Sequence, residues 1–464
     1  MHRIIGSAKD DDGNVPMTND HSTHHPQPLL GKIPTVGKKR RASAVKAFGK
    51  HKGNVVPTFT EVSSGFDHIL LKWPASFPAL DVKALNARRS DTSEIFITGG
   101  VGQPNALIVL QDGKAVDLAP EFGLEGPIEE GAYDIVIGDI DNDGEDEILI
   151  GMDSGIYLYS RSPGVDRYTE SRLDIELPDR ANAVTMTLAD TRKSGNLDLY
   201  VGTFIKPEFL TPIRFNDPEI SVDNAFYVNQ GDGTFVENTE AAGLSLHQNC
   251  YVAEFADFTG DGFPDLVVAL NTDRPRMWGN NGDGTFTEKQ LPGDYGFYMG
   301  LAIGDSNGDG LPDFFLANGG KVVPYPVARG DLTKDQKTDL SSKHFRNEGN
   351  YIFKDVSHET GTVTNAFAWG ATFADFTNNG RPDLVVTENF VGLPLDLGKH
   401  LGSPGKLFLQ GVDGKFVRGE EAAGVTNYNY GYRSIAIDLT GNGFNDLVIG
   451  NLGGPMRIFL NDLV

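Results

Sequence analysis

Apolar residues in this chain come in short runs, such as "EILIG" at 147–151, "DLVVAL" at 265–270, "DFFLAN" at 313–318 and "DLVIG" at 446–450. Each run is fenced by Gly, Asp and Asn and is too short for an ordinary helix. That pattern predicts many strands joined by tight turns. No run approaches the length of a membrane-spanning helix.

What precedes each run is equally regular. "DIDNDGEDEILIG" starts at Asp139, "DFTGDGFPDLVVA" at Asp257, "DSNGDGLPDFFLA" at Asp305, "DFTNNGRPDLVVT" at Asp375 and "DLTGNGFNDLVIG" at Asp438. All place side-chain oxygens at positions 1, 3 and 5, Gly at 6 and a carboxylate at 9. Two further copies are eroded. "DTRKSGNLDLYVG" from Asp190 carries Arg192 at position 3, and "NARRSDTSEIFIT" from Asn86 carries Arg88 and Arg89. Successive starts are 53, 51, 67, 48, 70 and 63 residues apart, a spacing that marks a repeat architecture.

Between the copies lies a second recurring element, as in "NAFYVNQGDGTFVENTEAAGL" from Asn224, "RMWGNNGDGTFTEKQL" from Arg276 and "KLFLQGVDGKFVRGEEAAGV" from Lys406. Strand, Gly-rich turn and strand read as a β-hairpin. Each repeat then supplies four strands, and seven such units predict an all-β, seven-bladed β-propeller rather than a linear solenoid. The two ends support a ring. The last repeat stops at "PMRIFLNDLV", half a hairpin, and the missing half appears at 57–65 as "PTFTEVSSG". Pairing the two would complete the last blade and leave no free edge.

Charge changes the picture next. The formal net charge is −24, which speaks against nucleic acid or an anionic membrane as a partner of the propeller. The one cysteine, Cys250, excludes an intrachain disulfide. In the loops, alternate carboxylates converge on one point, and Gly at position 6 allows the sharp turn. Hard anionic oxygens gathered that closely call for a hard cation, and Ca²⁺ suits the ligand number. An EF-hand is excluded, since it wants Glu at position 12, where these loops have Ile150 and Leu316 inside strands. The plain alternative is a solvated Asp/Gly turn without metal.

The loops resemble the FG-GAP and VCBS-type repeats of integrin alpha-subunit propellers and of cartilage acidic protein-like proteins, over about residues 57–464. The resemblance implies a propeller with Ca²⁺ in its loops, in proteins of the cell surface or exterior that bind partners. The N-terminus, in contrast, lacks the basic-then-apolar shape of a secretion signal. Position by position, the resemblance implies strong sites at Asp139, Asp141, Asp143 and Glu147, and at Asp305, Asn307, Asp309 and Asp313. Three weaker ones follow, each with Thr at position 3: Asp257, Thr259, Asp261 and Asp265; Asp375, Thr377, Asn379 and Asp383; Asp438, Thr440, Asn442 and Asp446. The Asn86 and Asp190 loops are expected to be empty.

Three long connections, 203–223, 318–343 and 388–406, fall on the face opposite the acidic loops and combine Pro, aromatic and charged residues. Loops of that length are usually functional or disordered. They are the expected recognition surface for a protein or carbohydrate. A polysaccharide-acting lyase or hydrolase is the alternative, with Tyr298, His344, His400 and Tyr432 as candidates, although no nucleophile motif marks them. Residues 1–56 read as a disordered polar and basic tail. It contains a His cluster (His21, His24, His25), a "KKRR" patch and "RRAS", which matches a basophilic kinase site at Ser43.

Overall fold

The computed structural model describes residues 35–69, 80–209, 217–321, 323, 328–389 and 404–463. The alternation of apolar runs and turns yields seven four-stranded antiparallel sheets, six built from sequential strands and the seventh from the last three strands and the first. Their innermost strands are Val82–Leu85, Ala132–Gly138, Ala181–Ala189, Cys250–Ala256, Tyr298–Gly304, Ala368–Ala374 and Gly431–Ile437. Each touches the next, and the strand of blade seven touches that of blade one, so the ring is closed. At the axis there is little room. A Cβ on Gly300 would lie 2.7 Å from the Gly370 Cα, and one on Gly370 would lie 2.6 Å from the Tyr432 carbonyl oxygen.

The closure read from the two ends is present. Phe59–Asp67 pairs antiparallel with Pro455–Asn461, with Phe59 opposite Asn461 and Val62 opposite Ile458. The Arg457 guanidinium donates to both Glu61 oxygens at 2.6 Å, and Ser64 Oγ donates to the Met456 carbonyl at 2.7 Å. The core lies between blades. Phe96 and Leu107 of blade one meet Ile148 and Ile150 of blade two, for example, all fully or almost fully buried.

The tail boundary is corrected. Residues 1–34 lie outside the described residues, but Thr35–Phe48 forms a helix within the stretch expected to be disordered. A few apolar residues among many charges supply little burial by themselves. Here Val45 and Phe48 are buried, and Phe48 joins a core cluster with Phe59, Phe376, Leu407 and Leu409. Asn54 secures the following turn: its amide donates to the Phe48 carbonyl, and its Oδ1 accepts the Val412 N–H, both at 3.1 Å. Among the described residues, no helix is long and apolar enough to cross a membrane.

Candidate metal centre

Each acidic loop joins the first and second strands of a blade, and the "GDGT" turn joins the third and fourth, so antiparallel alternation puts both on one face. Position 1 shapes the loop. Asp139 accepts the N–H groups of Asp143 at 3.1 Å and Gly144 at 3.0 Å. Asp257, Asp305, Asp375 and Asp438 accept the equivalent pairs, ending on Gly262, Gly310, Gly380 and Gly443. The chain can turn back this sharply because Gly144 sits at φ 89°, where a Cβ would be strained.

Position 9 is buried and ties the loop to the blade. Asp265 takes the N–H of Phe258 on one oxygen and that of Asn280 on the other, at 3.0 and 2.8 Å. Asp313, Asp383 and Asp446 repeat this with the third-strand N–H of Asn347, Gln410 and Asn461. The side chains of those third-strand residues reach further, into the preceding blade. Asn229 donates to the Ile140 carbonyl, Asn280 to Thr191, Asn347 to Phe258, Gln410 to Ser306 and Asn461 to Phe376, all between 2.6 and 2.9 Å. Blade two uses Arg161 for the same purpose, donating to the Ala87 carbonyl at 2.5 Å. These six latches between blades were missed in the sequence. Four of them had a signal there: Asn229, Asn280, Asn347 and Gln410 each end a strand just before the turn.

What neutralises the position-9 carboxylate differs from blade to blade. In blade one the Arg88 Nε donates to Glu94 at 2.6 Å, and in blade three Arg192 contacts Asp198 at 2.9 Å. An arginine at position 3 thus supplies, from within the chain, the positive charge a cation would bring. Lys193 points instead into the blade-four loop, donating to the Asp261 carbonyl at 2.9 Å and lying 3.7 Å from the centre of the Phe263 ring.

Blade two has no such group. Among the described residues, Asp139, Asp141 and Glu147 form one acidic group whose ligand oxygens all lie within 4.8 Å of one another. Glu147 is 2% exposed. One of its oxygens accepts the Ile140 N–H at 3.0 Å, while the other, Oε1, is buried without a partner. Burial raises its carboxyl from 4.5 to about 7, and the charges of Asp141, Asp143 and Asp139 add to that. A buried, unpaired, partly ionised oxygen facing two more carboxylates is a donor set that fits a hard cation. Asp143 does not join the triad. Its N–H supports Asp139 and Asp141, and its own Oδ1 accepts the Glu145 N–H at 2.9 Å.

The other expected sites are more self-satisfied. Asn307 donates to Asp309 at 2.8 Å. Asp313 accepts both the N–H and the hydroxyl of Ser306, at 3.0 and 2.5 Å. Thr259, Thr377 and Thr440 turn their hydroxyls onto the position-1 carboxylates at 3.3, 3.1 and 3.5 Å. The Tyr351 hydroxyl donates to Asp265 at 2.8 Å. Burial nevertheless raises the carboxyls of Asp265, Asp313 and Asp446, and that of Asp383 to about 7.

The family model for the FG-GAP-like repeat matches residues 216–268 and 257–316, covering the blade-four and blade-five loops just described. The chain is a seven-bladed β-propeller that carries FG-GAP-like repeats at 216–316. Among solved structures, this propeller is similar to BBS1N in complex with ARL6DN, soaked with mercury, at 11% identity and a TM-score of 0.49, over 88% of this chain and 98% of that one. The lead-soaked form of that complex aligns at 10% identity and a TM-score of 0.46, over 86% and 96%. An Agrocybe aegerita lectin, described as recognising non-reducing terminal N-acetylglucosamine, aligns at 19% identity and a TM-score of 0.39, over 83% and 91%. No curated protein matches the sequence.

The residues considered for catalysis are spread through the propeller. Tyr298 is buried and donates to the Asp294 carbonyl at 2.9 Å. His344 is buried beside Phe373 and Phe416, with Nε2 2.9 Å from Ser306 Oγ. Tyr432 lies near the axis, packed on Trp369 at 5.3 Å between ring centres. His400 lies outside the described residues. Of the three long connections, 210–216, 322, 324–327 and 390–403 lie outside them too. The described parts stand on the face opposite the acidic loops. There Trp369 also meets Phe367, Tyr430 and Tyr251, at 4.9, 5.4 and 6.1 Å.

Proposed function

We propose that this FG-GAP propeller is a calcium-stabilised recognition module, holding Ca²⁺ in its acidic loops and binding a protein or carbohydrate on the opposite face. The unpartnered Glu147 Oε1, buried against Asp139 and Asp141, carries the metal half of this reading. Asp139, Asp141 and Glu147 are the side chains that would hold the ion, and Asp143 supports them through its N–H. The Asp305 loop comes second, and the three Thr-containing loops rank below it because their hydroxyls and amides already serve the carboxylates. In such a loop the ion replaces carboxylate repulsion with ligation and so stiffens one face of the ring.

The partner half rests on topology and chemistry. The face opposite the acidic loops carries the three long connections above a buried aromatic cluster around Trp369, which gives those loops a packed floor, and the Pro, aromatic and charged residues of the loops themselves suit sugar rings and protein side chains alike. The test has two arms. Thermal unfolding with chelator, then with added calcium, reads the metal: a loss of stability restored by calcium supports it, and indifference to both overturns it. Glycan and protein arrays probed with the full chain, and with a variant whose 318–343 connection is replaced by a short turn, read the face. Binding that survives that replacement unchanged, and likewise replacement of 203–223 and 388–406, overturns the assignment.

A further inference from the structure

The "RRAS" stretch is not used by any role given so far, and the structure gives it a setting. It lies in the helix Thr35–Phe48, which is held to the outer strand of blade six. The dock runs through Val45 and Phe48, both buried, while Ser43 is exposed together with Lys46, Lys50 and Lys52. At 100° per residue, Ser43 stands about 160° around the helix from Val45 and about 140° from Phe48. Its hydroxyl therefore faces away from the propeller. Between Thr35 and Thr60 there are seven Lys or Arg residues and no Asp or Glu. This is an isolated basic segment on a strongly acidic chain.

We propose that Ser43 is a phosphorylation site for an arginine-directed protein kinase, presented on a basic helix docked to blade six. In the modification, Ser43 Oγ forms a bond to the γ-phosphorus of ATP. The bond from that phosphorus to the β–γ bridging oxygen breaks, ADP leaves with that oxygen, and the hydroxyl proton is released. Arg40 and Arg41, three and two residues before the serine, supply the charge such a kinase reads. The product adds a charge of about −2 amid the basic residues. Lys46, one turn on, is spaced to pair with it. Because Ser43 points away from the dock, the phosphate leaves Val45 and Phe48 in place and changes the charge of the exposed face. The modification thus alters what the helix attracts without detaching it.

Kinase clefts take extended substrates, so the docked helix must open locally to react, and the test allows for that. The full chain is incubated with an arginine-directed kinase and Mg²⁺-ATP, alongside Ser43→Ala and Phe48→Ala, and phosphate is located by tandem mass spectrometry. The expected result is phosphate on Ser43, none at that position in Ser43→Ala, and faster incorporation in Phe48→Ala, where the dock is loosened. Failure to label Ser43 in both the parent and Phe48→Ala overturns the site, as does label that persists in Ser43→Ala at the parent's level. Thermal unfolding of the phosphorylated chain gives a separate check. A midpoint unchanged from the parent agrees with a phosphate that faces outward, and a fall matching that of Phe48→Ala overturns that placement.

Discussion

Glu147→Gln separates the charge of the blade-two carboxylate from its shape. In the cation-free protein, burial and the neighbouring Asp141, Asp143 and Asp139 raise this carboxyl from 4.5 to about 7. The folded state then binds a proton that the unfolded chain has lost, so stability falls as pH rises from about 4.5 to about 7 and the cost is complete above that. At about 1.4 kcal/mol for each pH unit of displacement, the ionised side chain costs the fold about 3 kcal/mol. Glutamine keeps the length, accepts the Ile140 N–H through its carbonyl oxygen, and turns an amide donor toward Asp139 and Asp141. At about pH 8 in chelator the variant should be more stable than the parent, by about 2 kcal/mol once the cost of burying the amide is deducted. Calcium reverses the order. The parent gains about 2.7 kcal/mol when the ion stands at a hundred times its Kd, and the variant, short of an anionic ligand, gains less. Guanidinium denaturation of both proteins, with chelator and with saturating calcium, should therefore give midpoints that cross. If Glu147→Gln is less stable than the parent in chelator, or responds to calcium equally, the metal reading of blade two fails.

Asn347→Ala removes the donor to the Phe258 and Pro312 carbonyls and should cost about 1–3 kcal/mol in urea denaturation; no loss would mean the latches between blades contribute nothing. Arg192→Ala should cost about 2–3 kcal/mol by leaving the buried Asp198 carboxylate without its cation, and calcium should not restore it. Arg192→Asp, which returns an oxygen to position 3, should instead gain a calcium response measurable by the same unfolding assay. Burial lowers the His344 imidazole from 6.5 to about 4, so the unfolded chain takes up a proton that the fold refuses. Stability should fall between about pH 6.5 and 4, by about 3 kcal/mol in all, and His344→Asn should flatten that part of the profile; an identical acid profile would show the imidazole is not responsible.

The ring was legible because its evidence is periodic: a position-9 carboxylate followed by an apolar run, and a half-hairpin at each end, survive in the string without any contact being known. Arg88 and Arg192 at position 3 stood out in the sequence as cations where oxygens were expected, and in the structure each guanidinium pairs with the position-9 carboxylate of its own loop. The latches were harder. Asn229, Asn280, Asn347 and Asn461 recur in plain view, but their acceptors lie 85 to 89 residues away in the neighbouring blade, a relation no local pattern expresses. The exceptional standing of Glu147 could not be read either. Its extra methylene distinguishes it from the Asp at that position in blades three to seven, yet only burial reveals an oxygen left without a donor. Helix Thr35–Phe48 was missed because its composition is that of a solvated tail, and its order depends on where Val45 and Phe48 land.

The closing strand also has a mechanical meaning. Phe59 lies opposite Asn461 in an antiparallel ladder, so the propeller's first and last residues leave the ring at the same end of one strand pair. A load applied between them would open that pair one rung at a time, like a zipper, which is the weak direction for a sheet. The helix and the Asn54 turn change the point of attack, because the helix packs on the outer strand of blade six and Asn54 is bonded to Val412 of that blade. Tension arriving through the N-terminal segment is borne first by Phe48 and Val45. The zipper is loaded only after that dock has been pulled away, so the helix acts as strain relief for the one joint at which this ring can be undone.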